Sequence, residues 1–518
     1  MRLLATFALL VALVAVAGAR ADTSTPAPLR YGVADDWPQW HDCGDGWWQS
    51  AKDIGFQDLR MTVQWDETQP TVIPNQANLQ SALDCAALSD VRPILAIYPL
   101  HPAAIGSNAA AQARFAAYVA EVGATFPQVQ DFIVGNEPNV NRFWQPQYVN
   151  GKDAAAIDYE HTLAAAYDAL KAGRADARVW GPAISSRGND NPYALSNPSH
   201  SPVWFIKDLG DAYRASGRTT PIFDEFDLHP YPAVQDTAPF SRPFEWPQAG
   251  AADLSRIKQA LWDAFHDTAQ PVPAEYGGGR TPSAGLPIDL DEVGEQTTVD
   301  GHADPYVSPG ESVVPIDETT QAARYVQLAE LAACDPDVKT VMWFPLIDET
   351  TVSNGFQSGL EYADLAHKLS YGALKHQIAA AQGSCTGISR GWVHSATVAG
   401  AAGLFAGPGT AAGSQPAAIK PAGLKQLRIA VTAAEDATYV ATLVPALAGV
   451  RQAAAARSVG AVTGTLHAYH KPPISLAGPI PAGKYRVRIV ISAATNPDRT
   501  VTLTSRAFRV VGVKHTKK

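Results

Sequence analysis

Beyond its first twenty-one residues the chain has no apolar run long enough to cross a bilayer, no excess of basic residues and no close Cys-x-x-Cys pair. It also lacks a glycine-rich phosphate loop after its first strand-like segment. Each absence excludes a class. Without a long apolar run, no membrane span is expected once the leading segment is removed. With 40 Lys and Arg against 50 Asp and Glu, and a formal net charge of -10, nucleic acid is excluded as a partner, because phosphate binding requires clustered cations. Without a close Cys-x-x-Cys pair, a zinc site is only the weak alternative to disulfides. The missing phosphate loop argues against a doubly wound sheet that binds a dinucleotide. Asp300 and Asp304 around Gly301 match no EF-hand spacing, and His41, Asp42 and Asp45 lack a helical or hairpin frame. No metal and no cofactor are expected.

The leading segment has Arg2, an apolar run over 3–17 and then Ala19-Arg20-Ala21. That order fits a secretory signal over 1–21, with a mature chain starting near Asp22 and a secreted product. An apolar core of about 15 residues is short for an uncleaved anchor, the rival reading. Four cysteines in an exported chain suggest two disulfides, and the expected pairing is Cys43 with Cys85 and Cys334 with Cys385, one of three connectivities.

Between residue 29 and about residue 382, brief apolar runs alternate with amphipathic stretches. Strands are expected over 30–33, 58–65, 93–98, 131–136, 178–180, 223–229, 287–292 and 338–344. Helices are expected over 109–122, 154–172, 253–269 and 320–333, where apolar residues recur at three and four. Eight such units fit an α/β fold, a (β/α)8 TIM barrel over 22–385 with enlarged loops. Parity agrees: Leu59, Met61, Val63 and Trp65 share one face of their strand, Arg60, Thr62 and Gln64 the other. Asp227, His229 and Tyr231 likewise oppose Phe226 and Leu228. Residues 386–423 are rich in Gly, Ala and Pro and read as a linker. The alternating runs over 424–513, divided by Pro, Gly and Asn-Pro turns, read as a small β-sandwich without catalytic features.

Two of the expected strands end on a carboxylate. DFIVGNEPN stops on Asn136 and Glu137, and LPIDLDEVG on Glu292. Barrel enzymes carry their reacting groups at strand carboxyl ends. Only a tertiary fold would bring two glutamates so remote in sequence together. Cleavage of a glycosidic bond needs such a pair, one carboxyl to protonate the leaving oxygen and one carboxylate to attack the anomeric carbon. Asn136 and Glu137 are consecutive, so both reach one sugar only if the pleat breaks there, and Pro138 is consistent with a break. Glu292 is favoured over Glu295, which lies past Gly294 in a loop. Tryptophans 37, 40, 47, 48, 65, 144 and 343 are candidates for sugar-stacking surfaces, each of which also serves as a core filler.

As a set, these residues resemble the clan A retaining glycoside hydrolases, the group that includes families 5 and 39. The resemblance covers 29–382. It implies that GNEPN carries the acid/base Glu137 with Asn136 on the sugar 2-hydroxyl, and that DEVG carries the nucleophile Glu292. It further implies substrate contacts from His229 and Tyr231 in HPYP, from Arg60, and from Trp343 in VMWFPL, while Trp144 follows the acid/base motif. DEVG departs from the pattern of relatives, which commonly have Thr or Ser before the glutamate and an aromatic after it; Asp291, if turned inward, would set a like charge beside Glu292. The expected activity is hydrolysis of an oligo- or polysaccharide by double displacement, its partner a carbohydrate. The alternatives are a non-catalytic carbohydrate-binding surface protein and a transglycosidase with the same site.

Overall fold

The computed structural model describes residues 29–232, 238–273, 285–307, 313–352, 355–381, 383–384, 394–398, 418–419, 426–446, 461–468, 470, 473–477, 480 and 482–510. The leading segment lies outside them. No helix among the described residues is long and apolar enough to cross a membrane.

Eight strand positions alternate with eight helices. The strands are β1 (Arg30–Ala34), β2 (Asp58–Trp65), β3 (Arg92–Pro99), β4 (Asp131–Val134), β5 (Arg178–Trp180), β6 (Phe226–His229), β7 (Ile288–Val293) and β8 (Val338–Trp343). The helices are α1 (Gly46–Ile54), α2 (Gln76–Leu88), α3 (Ala109–Thr125), α4 (Ala155–Gly173), α5 (Pro202–Ser216), α6 (Leu254–Phe265), α7 (Glu318–Cys334) and α8 (Leu369–Ala380). Side-chain caps set several helix starts: Asp45 accepts from Trp47 N, Asn108 from Ala110 N and Ala111 N, and Asp317 from Thr320 N. All strand pairings in this sheet are parallel, and β8 returns to β1. After β5 the chain turns at Gly181-Pro182 and resumes as Ile184–Ser185, which pairs with β6, while Trp180 bridges Glu225. The sheet therefore curls into an α/β barrel.

Strand parity divides the side chains as the sequence pattern implies. Leu59, Met61, Val63, Trp65, Phe226 and Leu228 join the buried layer shared with the helices. Burying each such side chain contributes about 1.5–3 kcal/mol. The barrel interior is stacked in tiers. At the bottom, Asp58 takes Arg30 and Arg92, while Asp131 takes Arg92 and Arg178. Above them Ile94, Ala96, Ile133, Trp180 and Met342 form a thin apolar tier. The mouth above that tier is polar.

Cys43 and Cys85 are joined, tying the loop before α1 to α2. Cys334 is also disulfide-bonded; its expected partner, Cys385, lies outside the described residues.

The C-terminal strands fall in two small sheets. One orders His394–Val398, Gln426–Ala433 and Pro473–Ala477 antiparallel. The other is built on Gly483–Ala493, which pairs antiparallel with Ala437–Pro445, Thr500–Thr504 and Phe508–Val510. Ile429, Ile474, Val487 and Phe508, from both sheets, share one core. The expected linker over 386–423 needs correction, because His394–Val398 and Ala418–Ile419 within it pair into these sheets. The Gly- and Ala-rich stretch that follows Val398 set the expected linker boundary too early.

The C-terminal sheets are tied to the barrel through α6. Arg499 donates to Asp263 on α6 at 2.8 Å and to both oxygens of Glu435 at 2.7 and 2.8 Å. Thr495 Oγ1 adds a bond to Asp263 at 2.9 Å.

Candidate active site

The sequence leaves β4 as DFIV and then supplies Gly135, whose φ of +99° an L side chain rarely adopts. A Cβ there would lie 2.8 Å from the Tyr159 ring, so space as well as backbone demands glycine. Glu137 follows with φ +39°, and its N–H is anchored on Ala183 O at 2.8 Å. The pleat breaks as expected. Asn136 and Glu137 consequently both reach the mouth, Asn136 toward Arg60 and Glu137 toward His229.

Glu292 arrives by a different irregularity. On β7, Leu290 pairs with Val341 but Val293 pairs with Trp343, so β7 holds one extra residue. This is a β-bulge, which re-aims side chains. Ile288, Leu290 and Val293 face the helices, and an unbroken pleat would have sent Glu292 with them. The bulge turns Asp291 and Glu292 both into the mouth. Glu295 is excluded from it: fully buried, it pairs with Arg324 beyond the strand end.

Arg60 organises the constellation from β2. Its Nη1 donates to Glu292 Oε2 at 2.8 Å, its Nη2 to Asn136 Oδ1 at 2.7 Å, and its Nε lies 3.2 Å from Asp291. Burial works against this charge, but Glu292 and Asp291 outweigh it and hold the guanidinium above its ordinary value. Tyr231 donates to the other oxygen of Glu292 at 3.0 Å. His229 sits between the two glutamates, with Nδ1 3.0 Å from Glu137 Oε1 and Nε2 3.9 Å from Glu292 Oε2. Nε2 also faces Asp291 at 3.4 Å. Burial alone would strip the ring of its proton, yet Glu292, Asp291 and Glu137 raise it well above the ordinary histidine value. Both glutamates keep an opening to solvent, with 15% and 16% of their side chains exposed.

Six of the eight residues expected at the site therefore meet: Arg60, Asn136, Glu137, His229, Tyr231 and Glu292. The two tryptophans do not. Trp343 is fully buried and packs on Tyr31, Phe56 and Tyr325 in the helix-facing layer. Strand parity is the reason, since Met342 takes the inward position. The next inward position falls on Phe344, half-buried and edge-on to Phe356 at 5.0 Å. Trp144 is 2% exposed against Tyr159. Of the early tryptophans, Trp47, Trp48 and Trp65 are core, while Trp40 is exposed and Trp37 stacks on His41.

Two further acids stand beside the constellation: Asp227, on the face that strand parity gave it, and Asp36, which the sequence reading missed. Asp227 on β6 accepts from Ala183 N at 2.5 Å, and burial beside Asp291 pushes its carboxyl well above the usual range. Asp36, after β1, accepts from Thr62 N at 2.7 Å and from Gln39 at 2.8 Å, with burial raising it as well. Among the described residues, only Asp66, Glu67 and His101 gather ligand atoms within 4.8 Å of one another as a cation would require. They stand on the open rim after β2 and β3, outside the constellation.

No protein-family model and no curated protein matches this chain. Among solved structures it is similar to a family 39 glycoside hydrolase from Bacteroides cellulosilyticus WH2, at 14% identity and TM-score 0.47 over 88% of this chain and 81% of that one. It is also similar to the GH39 enzyme from Xanthomonas axonopodis pv. citri, at 14% identity and TM-score 0.45, covering 94% of each. A monomeric beta-xylosidase from Caulobacter crescentus CB15 follows, at 13% identity and TM-score 0.43 over 94% of this chain and 97% of that one. At such identities and scores, the chemistry must be read from the side chains.

Proposed function

We propose that this chain is a secreted retaining glycoside hydrolase, with Glu292 as nucleophile and Glu137 as acid/base. The observation that carries the reading is the asymmetric dressing of two glutamates that share one histidine. Glu292 has a fixed guanidinium on one oxygen and a phenol on the other. Among the described residues, the Glu137 side chain has no such fixed cation and is hydrogen-bonded only to His229 Nδ1, at 3.0 Å. A nucleophile needs to be oriented and charged; an acid needs a proton within reach.

In this reading Glu292 attacks the anomeric carbon while Glu137 gives its proton to the leaving oxygen. Water, deprotonated by Glu137, then releases the sugar from Glu292. His229 Nδ1 serves as the proton partner of Glu137 through both steps. Arg60 fixes Glu292 and Asn136 together, so the amide of Asn136 is positioned for the sugar hydroxyl next to the anomeric carbon. The two C-terminal sheets with their common core support a β-sandwich that accompanies the barrel without contributing to the chemistry. Export through the 1–21 segment and a carbohydrate partner complete the proposal.

The test is hydrolysis of a panel of aryl glycosides by the full chain and by Glu292→Ala and Glu137→Ala. Wild type is expected to turn over at least one substrate, and Glu292→Ala none. Full activity in Glu292→Ala would overturn the assignment.

A further inference from the structure

A cavity of about 610 Å³ opens where the barrel meets the C-terminal sheets, outside the catalytic constellation. Its walls come from both parts: Glu245 and Trp246 from the loop between β6 and α6, and Asp436, His467 and His470 from the segments that flank the C-terminal strands Ala437–Pro445 and Val462–Leu466. Small-molecule sites favour such junctions and such volumes.

The junction is fixed in place. Glu435, the neighbour of Asp436, is held by Arg499, which also grips Asp263 on α6. The barrel wall is fixed as well: Trp246 packs edge-on to Trp204 of α5 at 5.4 Å. Asp436 is oriented by Ala468 N at 2.8 Å and lies 3.5 Å from His467 Nδ1.

Among the described residues the lining has one flat indole, two imidazoles and two carboxylates, with no Lys or Arg. A phosphate or sulfate would meet two carboxylates, and an apolar ligand would leave them unpaired. A polyhydroxylated ring fits: its C–H face lies on the indole, and its hydroxyls donate to Asp436 and Glu245 and pair with the imidazoles. The loop carrying Trp246 starts at the catalytic mouth. Ser186 accepts from Ala249 N at 3.2 Å and donates through Oγ to Tyr231 O at 3.0 Å, pinning both ends of that loop to one residue. One loop therefore joins Trp246 of the seam to Tyr231 of the mouth.

We infer that this seam is a second saccharide-binding site, centred on Trp246, His467 and Asp436, which holds a distal part of the glycan cut at Glu292. The inference rests on the glycosidase reading for its ligand class. It gives the C-terminal sheets a role in substrate binding.

The experiment uses the full chain. Binding of xylohexaose, cellohexaose and mannohexaose to Glu292→Gln is measured by calorimetry, alone and combined with Trp246→Ala or with His467→Ala. The site predicts that at least one hexasaccharide binds, and that Trp246→Ala weakens it about tenfold or more, as loss of a buried aromatic anchor does. His467→Ala, at an exposed position that leaves the fold unburdened, should weaken the same ligand several-fold. Binding of none of the three, or binding indifferent to either substitution, would overturn the inference. The single variants Trp246→Ala and His467→Ala should hydrolyse aryl monoglycosides like wild type. Failure of the glycosidase reading has a separate signature, hexasaccharide binding without turnover of any aryl glycoside by wild type.

Discussion

The Tyr231 hydroxyl lies 3.0 Å from Glu292 Oε1, and Glu292 would not be there if its strand ran on undisturbed. Tyr231 stands two residues past the end of β6, and Glu292 owes its direction to the bulge in β7. The bond is charge-assisted and worth about 1.5–3 kcal/mol. Tyr231→Phe should lower kcat by roughly ten- to a hundredfold with little change in KM, measured on an aryl glycoside. A change confined to KM would remove Tyr231 from the chemical step.

Glu137 has a different expected signature. As acid it matters most when the leaving group is poor. Glu137→Ala should cost about 10²–10⁴ in kcat/KM for alkyl glycosides and much less for dinitrophenyl glycosides. Equal losses across leaving groups would contradict its role.

Gly135 is the backbone device that lets Asn136 and Glu137 act together. Gly135→Ala places a methyl 2.8 Å from Tyr159 at a φ of +99°. The expected loss is about 1–3 kcal/mol in urea unfolding, together with lowered activity. Wild-type stability in that variant would show that the turn is not strained against side chains.

Buried Glu295 links stability to pH. Burial raises its carboxyl to about 7, only partly offset by Arg324. The folded value lies above the ordinary 4.5, so its contribution is complete below that ordinary value and is lost as pH rises through about 7. The stability of wild type relative to Glu295→Gln should fall by about 1–3 kcal/mol across that window. A difference independent of pH would contradict the shift.

Arg499 holds two carboxylates, Asp263 and Glu435, in the seam between barrel and C-terminal sheets. Removing one partner from a buried cluster strands the others, at a cost of about 3–5 kcal/mol. Arg499→Ala should separate a second, earlier unfolding transition in calorimetry. A single unshifted transition would show that the clamp is dispensable.

Much of this was legible in the residues. Expected strand 58–65 coincides with β2, and the parity that set Arg60 against Leu59 and Met61 is the parity observed. That succeeds because strand period is a local property and both faces of β2 have distinct environments. The convergence of Glu137 and Glu292 was legible only as strand ends of one barrel. The bulge at Asp291 and Glu292 was not, because it is an extra residue measured against the partner β8, and a single strand carries no record of register. Trp343 failed for the opposite reason: its type suggested a sugar platform, while its position next to inward Met342 assigns it to the helix layer. Residue type outweighed periodicity where periodicity was the better guide. His394–Val398 was passed over because the Gly- and Ala-rich run that follows it set the composition of the whole 386–423 stretch.

The most direct measurement is the anomeric configuration of the products when azide rescues the two glutamate variants. With Glu292→Ala, azide should take the place of the lost nucleophile and yield a glycosyl azide of inverted configuration, read by proton NMR. With Glu137→Ala, azide should intercept the intermediate on Glu292 and yield the retained configuration. Rescue of neither variant, or the same configuration from both, would contradict the assignment of Glu292 as nucleophile and Glu137 as acid/base.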